Sequence, residues 1–253
     1  MIVLVHGFGH GSWCWSLVTE RLAGRGLASV AVDLDGHGLK SYVTPASVSA
    51  SSAAATLVEQ IRRAGGGEPC VVVAHSMGGI VATAAAESAP SLFKSLIYVA
   101  AYAPADGRPM TAFLSEPENA GSLVPGLLAG DPASTGRLEL DLTDRPGIRE
   151  AFYGDVDTAT ADAAIDLLGR AGGPVGIPAE PLTVTRERYG SVPHGYVTCT
   201  KDNAVPIALQ RRFIRELDAV SAAPARVVEL DSAHSPFLSQ PDVLAGVIAD
   251  LSR

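Results

Sequence analysis

Cysteine, lysine and aromatic residues are scarce in this sequence, and no long apolar run interrupts it. The three cysteines, Cys14, Cys70 and Cys199, lie far apart. An odd number without a Cys-x-x-Cys pair excludes a disulfide framework and a structural zinc site, and it fits a reduced cytoplasm. Lysine occurs only as Lys40, Lys94 and Lys201, and acidic residues outnumber basic ones for a formal net charge of −8. Such a balance argues against a nucleic-acid or anionic-membrane partner. No stretch reaches the ~20 apolar residues of a membrane-spanning helix. The opening "MIVLVHGFGHG" lacks the basic lead of a signal peptide. The expectation is a soluble, cytoplasmic protein.

What is present is enough apolar residue, 47% of 253 positions, to build a proper core. Strand-like runs at 2–5, 28–34, 70–74, 95–101, 195–200 and 225–230 alternate with helix-like stretches at 15–24, 49–64, 77–88, 206–217 and 241–251. Alternation of this kind predicts an α/β fold with parallel strands joined by crossover helices. The alternation fails between 104 and 190, an interval too long for a plain loop in a compact domain. It contains "IREAFYG" and "ATADAAIDLLGRAG", so it is expected to be an inserted helical cap, with 1–103 and 191–253 forming the core.

The stretch "CVVVAHSMGGIVATAAAES", 70–88, carries the chemistry. A doubly buried strand runs straight into a helix, and only a tight turn fits between them. Ala74, Gly78 and Gly79 supply the small side chains such a turn requires. Ser76 at its apex would stand above the sheet, with the Met77 N–H beside it at a helix N-terminus. That is the position of a nucleophile. Ligands in open parallel sheets bind beyond the carboxyl ends of strands, so a base is expected there too. His234, after "ARVVELDSA", is the preferred base; His37, in "DLDGHG", reads as a turn residue, His194 as a solvated turn histidine, and His75 as packing near the pocket. Asp202, directly after "GYVTCT", is the preferred orienting acid over Asp106, while Asp33 and Asp35 read as turn formers. A second oxyanion donor is expected from "HGFGHG", where Phe8 N–H is the choice. This glycine-rich stretch lacks the spacing and the lysine of a nucleotide loop.

Four segments, "VLVHGFGHGSWCW", "VVAHSMGG", "RYGSVPHGYVTCTKDNAVPIALQRRFI" and "DSAHSPFLSQPDVL", resemble the α/β-hydrolase superfamily. The resemblance is closest to the branch containing plant methylesterases, hydroxynitrile lyases and bacterial esterase relatives. It implies a mainly parallel six-stranded sheet flanked by helices, a nucleophile at Ser76, an acid at Asp202, a base at His234, and oxyanion donors at Phe8 and Met77. The elbow of that superfamily usually reads Gly-x-Ser-x-Gly, and here Ala74 replaces the first glycine.

The expected activity is cofactor-independent hydrolysis of carboxylic esters of small, mostly apolar substrates, with no metal. Lactonase and thioesterase reactions use the same groups, and a non-catalytic small-molecule receptor is a third class. Hydroxynitrile lyase is the other enzyme class within the resemblance. Lyases of one kind place lysine after the catalytic histidine and threonine after the first-strand histidine, where this chain has Ser235 and Gly7. Lyases of the other kind carry asparagine at the Gly7 position. Substrate contacts are expected from Gly7, His75, Tyr102 and Phe152. Phe113, Leu114, Phe152, Tyr153, Leu167 and Leu168 either line an apolar pocket or form the cap's own core. Trp13 and Trp15 are candidate substrate contacts, at least one of which reads as packing of the first helix onto the sheet, and Cys14 reads as inert. A small-molecule ester is the expected partner, and a homodimer is left open.

Overall fold

The computed structural model describes residues 1–169 and 172–253. Strands β1 (Ile2–Val5), β2 (Ser29–Val32), β3 (Cys70–His75), β4 (Phe93–Val99), β5 (His194–Cys199) and β6 (Arg226–Leu230) form a sheet in the order β2-β1-β3-β4-β5-β6. All of its pairings are parallel. Central strands β1, β3 and β5 are buried at every residue, whereas the edge strands β2 and β6 are half exposed. A parallel sheet covered on both faces needs apolar residues at successive positions in its centre. The runs "IVLV" and "CVVV" provide them.

The helices of eight residues or more among the described residues are α1 (Ser16–Ala23), α2 (Ala50–Gly65), α3 (Gly78–Ser88), α4 (Arg145–Phe152), α5 (Thr158–Leu167), α6 (Ile207–Val220) and α7 (Pro241–Leu251). Successive side chains of a strand point to opposite faces, and the two cores follow that alternation. Val3, Val5, Val72 and Ala74 pack with α2, α3 and α6, while Ile2, Leu4, Val71 and Val73 pack with α1 and α7. Because β1 lies between β2 and β3, the chain leaves β1 in one direction and returns on the other side. The crevice at the carboxyl ends of β1 and β3 is therefore the natural ligand position.

The interval after β4 keeps its two helix-like pieces as α4 and α5 and adds four-residue helices at Pro132–Thr135 and Gly176–Ala179, but it also holds strands that the sequence does not suggest. They form a three-stranded antiparallel sheet of Leu128–Ala129, Arg137–Leu140 and Gly173–Pro174. Two-residue strands are too short to show a period of two, which is why the pattern hides them. His194 also departs from expectation. It is the first residue of β5, paired with Leu96, and is buried with its Nδ1 3.1 Å from Ser221 Oγ. The strand starts one residue earlier than its apolar run, and carries the imidazole inside. Arg170, within "ATADAAIDLLGRAG", lies outside the described residues. No helix among the described residues is long and apolar enough to cross a membrane.

Helix α2 starts with a reciprocal cap in which Ser49 Oγ accepts the Ser52 N–H and Ser52 Oγ accepts the Ser49 N–H. Removing such a cap typically costs about 1 kcal/mol. Ser49→Ala should therefore lower the melting temperature by roughly 2–4 °C for a chain of this size. Calorimetry on both proteins measures it, and an unchanged melting point would show that the cap contributes nothing.

Candidate active site

The chain turns at Ser76 with φ of +52°, a left-handed conformation costly for a residue with a side chain. Three glycines make it geometrically achievable. A Cβ on Gly78 would collide with the His6 carbonyl oxygen, and one on Gly79 with that of Tyr102. A Cβ on Gly7 would lie 2.6 Å from the Ser76 Cβ. No side chain fits at any of these places without movement of backbone or of the serine. The turn is then held by hydrogen bonds from Ser76 N–H to Val99 O, 3.3 Å, and from Tyr102 N–H to Ser76 O, 3.1 Å.

Beyond β5 and β6, Asp202 and His234 meet as a buried pair, with Asp202 Oδ2 2.8 Å from His234 Nδ1. The other carboxylate oxygen accepts the N–H groups of Ala204 and Val205 at 2.7 and 2.8 Å. Gln210 Nε2 adds a third protein donor at 3.2 Å to Oδ2. A buried carboxylate is tolerated only when its oxygens are satisfied in this way. Asp202 can then fix the imidazole with Nδ1 protonated, which turns Nε2 outward as an acceptor.

His75 does not border the cavity; its Nε2–H donates to the His234 carbonyl at 2.9 Å, and the two rings lie 4.5 Å apart. Burial first, and the neighbouring His234 and His10 second, hold the His75 imidazole well below its ordinary pKa. Its chemistry is that of a neutral brace.

Ser76, Met77, Phe8, Tyr102 and Phe152 all line one cavity, a void of about 730 Å³ including its mouth. Gly7 lies behind Ser76, and His234 lies beside Phe152 with ring centres 5.7 Å apart. Met110, Leu114, Leu128, Leu138, Val175 and Pro178 complete a mostly apolar wall, with Thr111, Ser122 and the Tyr102 phenol as polar groups and no carboxylate, lysine, arginine or histidine among its described lining residues. Among the described residues, the Phe8 and Met77 N–H groups donate to no protein acceptor. The Ser76 hydroxyl and His234 Nε2 form no hydrogen bond in this structure; contacts of that kind commonly tighten only when substrate binds. No group of three or more potential metal ligands occurs among the described residues.

Of the cap residues with two open readings, Leu114 lines the cavity beside Phe152, and Leu167 is exposed. Tyr153 and Leu168 belong to the cap's own core. Phe113 packs instead into the main core, its ring 5.0 Å from that of Phe213. Trp15 is buried with its ring 5.3 Å from Phe237, while Trp13 stacks on His10 at 5.4 Å. Burial pushes the Cys14 thiol up, away from the reactive thiolate. Sequence reasoning missed Gln210, whose side chain also bonds both backbone groups of Cys199. Its signal was a polar residue on the buried face that Leu209, Phe213 and Leu217 define on α6.

A parallel α/β sheet with a strained serine turn after β3 and an Asp-His pair after the last strands defines a hydrolase of the α/β class. A family model described as the alpha/beta hydrolase family matches residues 2–247, and the chain belongs to that family. It is 28% identical over 259 residues to putative methylesterase 14, chloroplastic, of Arabidopsis thaliana, covering 99% of this chain and 71% of that protein. With methylesterase 7 of the same plant it shares 28% identity over 261 residues, covering 99% and 95%. The chain spans 56 to 71% of the length of the chloroplastic methylesterases it matches. Among solved structures, that of pyrethroid hydrolase PytH with BIF superposes with a TM-score of 0.82 at 25% identity, covering 99% of this chain and 96% of that one. Polyneuridine aldehyde esterase gives a TM-score of 0.83 at 23% identity, covering 100% and 98%, a likeness of fold alone.

Five histidines are held neutral by burial. His10 and His37 are pushed down to about 3, His194 to about 4, and His6 and His75 also lie below the ordinary value. Each binds a proton in the unfolded chain, at about pH 6.5 and below, before it can do so when folded. Folding stability should thus be full above that pH and fall as pH drops below it, because the unfolded chain takes up protons that the folded one excludes. Urea midpoints at neutral pH and near pH 5 test this, and equal midpoints would contradict it.

Proposed function

We propose that the protein hydrolyses carboxylic esters of small, uncharged, mostly apolar substrates through an acyl-enzyme on Ser76. The observation that carries this is the strained Ser76 turn at the wall of an apolar cavity, flanked by the free N–H groups of Phe8 and Met77. Ser76 Oγ attacks the ester carbonyl carbon while its proton passes to His234 Nε2. Asp202 holds the imidazole in the required tautomer and stabilises its cationic form. The carbonyl oxygen becomes an oxyanion and takes hydrogen bonds from the Phe8 and Met77 N–H groups. Such donors contribute because they are oriented before charge develops. The tetrahedral adduct collapses, His234 returns the proton to the leaving alkoxide, and an alcohol departs. Water then repeats the sequence on the acyl-enzyme, releasing the acid and restoring Ser76.

The cavity supports the substrate class. Among the described residues no charged side chain lines it, so a charged acyl or alcohol group would lose its hydration without compensation. Relatives named methylesterases support an ester in which one side is small. Lyase chemistry is disfavoured by the space around Gly7, since threonine or asparagine there would begin with a Cβ 2.6 Å from that of Ser76. Ser235, in the place of the lyase lysine, is fully buried and uncharged.

Ser76→Ala should reduce turnover of a chromogenic short-chain ester to below about 1% with the fold intact, and adding His234→Ala should cost little more, because triad members act as a unit. A panel varying acyl and alcohol parts separately, run beside mandelonitrile in mild acid, reports which side of the carbonyl the cavity accepts. Substantial activity in Ser76→Ala, or cyanide release faster than ester cleavage, would overturn the assignment.

A further inference from the structure

The segment following α4, Tyr153-Gly154-Asp155, reaches both loops that carry the proposed chemistry. Tyr153 is fully buried, and its hydroxyl lies 2.8 Å from His10 Nε2. The other ring nitrogen, His10 Nδ1, lies 2.8 Å from the Phe8 carbonyl oxygen. A carbonyl can only accept, so Nδ1 carries the proton and Nε2 accepts the tyrosine O–H. Burial, which pushes His10 down to about 3, keeps the ring neutral. Trp13 stacks on that ring at 5.4 Å and Phe237 meets it edge-on at 5.8 Å, so its orientation is fixed by packing as well.

The loop needs such a tie. Phe8 stands between Gly7 and Gly9, and Gly9 adopts φ of +70°. Glycine on both sides lets the backbone approach Ser76, but it also leaves the Phe8 N–H free to turn. A donor that must reorient during the reaction loses much of its value. The cap supplies a second restraint to the same loop through the Gly169 N–H, which donates to Gly9 O at 3.1 Å.

Two residues beyond Tyr153, Asp155 Oδ2 accepts Ser232 Oγ and the Ala233 N–H, each at 3.0 Å. These residues immediately precede His234 in the chain. One short piece of the cap thus grips the oxyanion loop with one side chain and the base loop with the other.

We propose that Tyr153 and Asp155 are positioning residues for ester hydrolysis, Tyr153 orienting the Phe8 N–H through His10 and Asp155 fixing the backbone that presents His234. Neither touches the reacting atoms. The inference rests on the esterase reading of Ser76, His234 and the two N–H donors.

Tyr153→Phe keeps the ring and removes only the hydroxyl. It should lower kcat about tenfold with KM changed less than about twofold, as expected when an interaction matters mainly in the transition state. The inhibition constant of an aryl trifluoromethyl ketone, whose serine adduct places an oxyanion in the same site, should weaken by a similar factor. A purely structural role would lower the melting temperature and leave both ratios alone. Asp155→Ala should lower kcat about as much, and Asp155→Asn should recover most of it, because the amide oxygen still accepts. Wild-type kcat and inhibitor affinity in Tyr153→Phe would overturn the first tie, and full activity in Asp155→Ala the second. Should the native protein cleave no ester, the underlying reading fails; should it cleave esters, lose that activity in Ser76→Ala and keep it in Tyr153→Phe, only the Tyr153 tie fails.

Discussion

The structure depends on a lack of room around Ser76. The serine sits in a left-handed conformation, and the backbone carbonyls of His6 and Tyr102 press in where Cβ atoms of residues 78 and 79 would be. That closeness has two results at once. It holds β1, β3 and the start of α3 together tightly enough to maintain a strained residue, and it brings the Gly7-Phe8 backbone to within contact of the serine. A larger residue at 7, 78 or 79 would relieve the strain only by separating the groups whose proximity defines the site. Strain of about 1–3 kcal/mol at such a turn is sustained because the flanking strands lie in the most buried part of the sheet.

A second constraint is electrostatic. Asp202 is buried and accepts from two backbone N–H groups, from Gln210 and from His234. The surrounding histidines offer no competing positive charge, because burial favours their neutral forms. His75 shows how this is used: as a neutral ring it donates to the His234 carbonyl and packs against the base without repelling it. A protonated His75 at the same place would repel an imidazolium at His234, the form that the proposed mechanism uses. The imidazole cluster behind the site is therefore a set of dipoles and hydrogen-bonding spacers, with burial deciding its charge.

Much of this was legible in the sequence because the central strands are buried on both faces and carry uninterrupted apolar runs. Their number, their parallel direction and the turn at Ser76 follow from that pattern and from the small residues around it. The edge strands were readable from alternation with helices, although Arg226–Leu230 has only its last residue buried. What escaped has a common cause. The cap strands are two to four residues long, and their pairing is decided by contacts with distant segments rather than by local pattern. His194 read as solvated because its neighbours Pro193 and Gly195 signal a turn; only its pairing with β4 takes it inside. Gln210 looked like an ordinary helix residue, since its partners, Asp202 and Cys199, are brought together only by the fold.

These omissions bear on what the segment over the sheet does. Residues 104–190 carry the weakest sequence pattern in the chain, and pattern alone leaves open whether they shape a pocket or form a core of their own. Their contacts assign them more. Phe152 lines the cavity, Tyr153 reaches the loop that holds Phe8, and Asp155 reaches the loop that holds His234. The cavity wall and the contacts to both loops therefore come from neighbouring residues at the end of one helix. A substitution that reshapes the apolar wall at Phe152 would be transmitted along the backbone to both ties. Substrate range in such an arrangement is altered with least damage at Leu114 or Leu138, whose side chains line the same cavity and make neither tie.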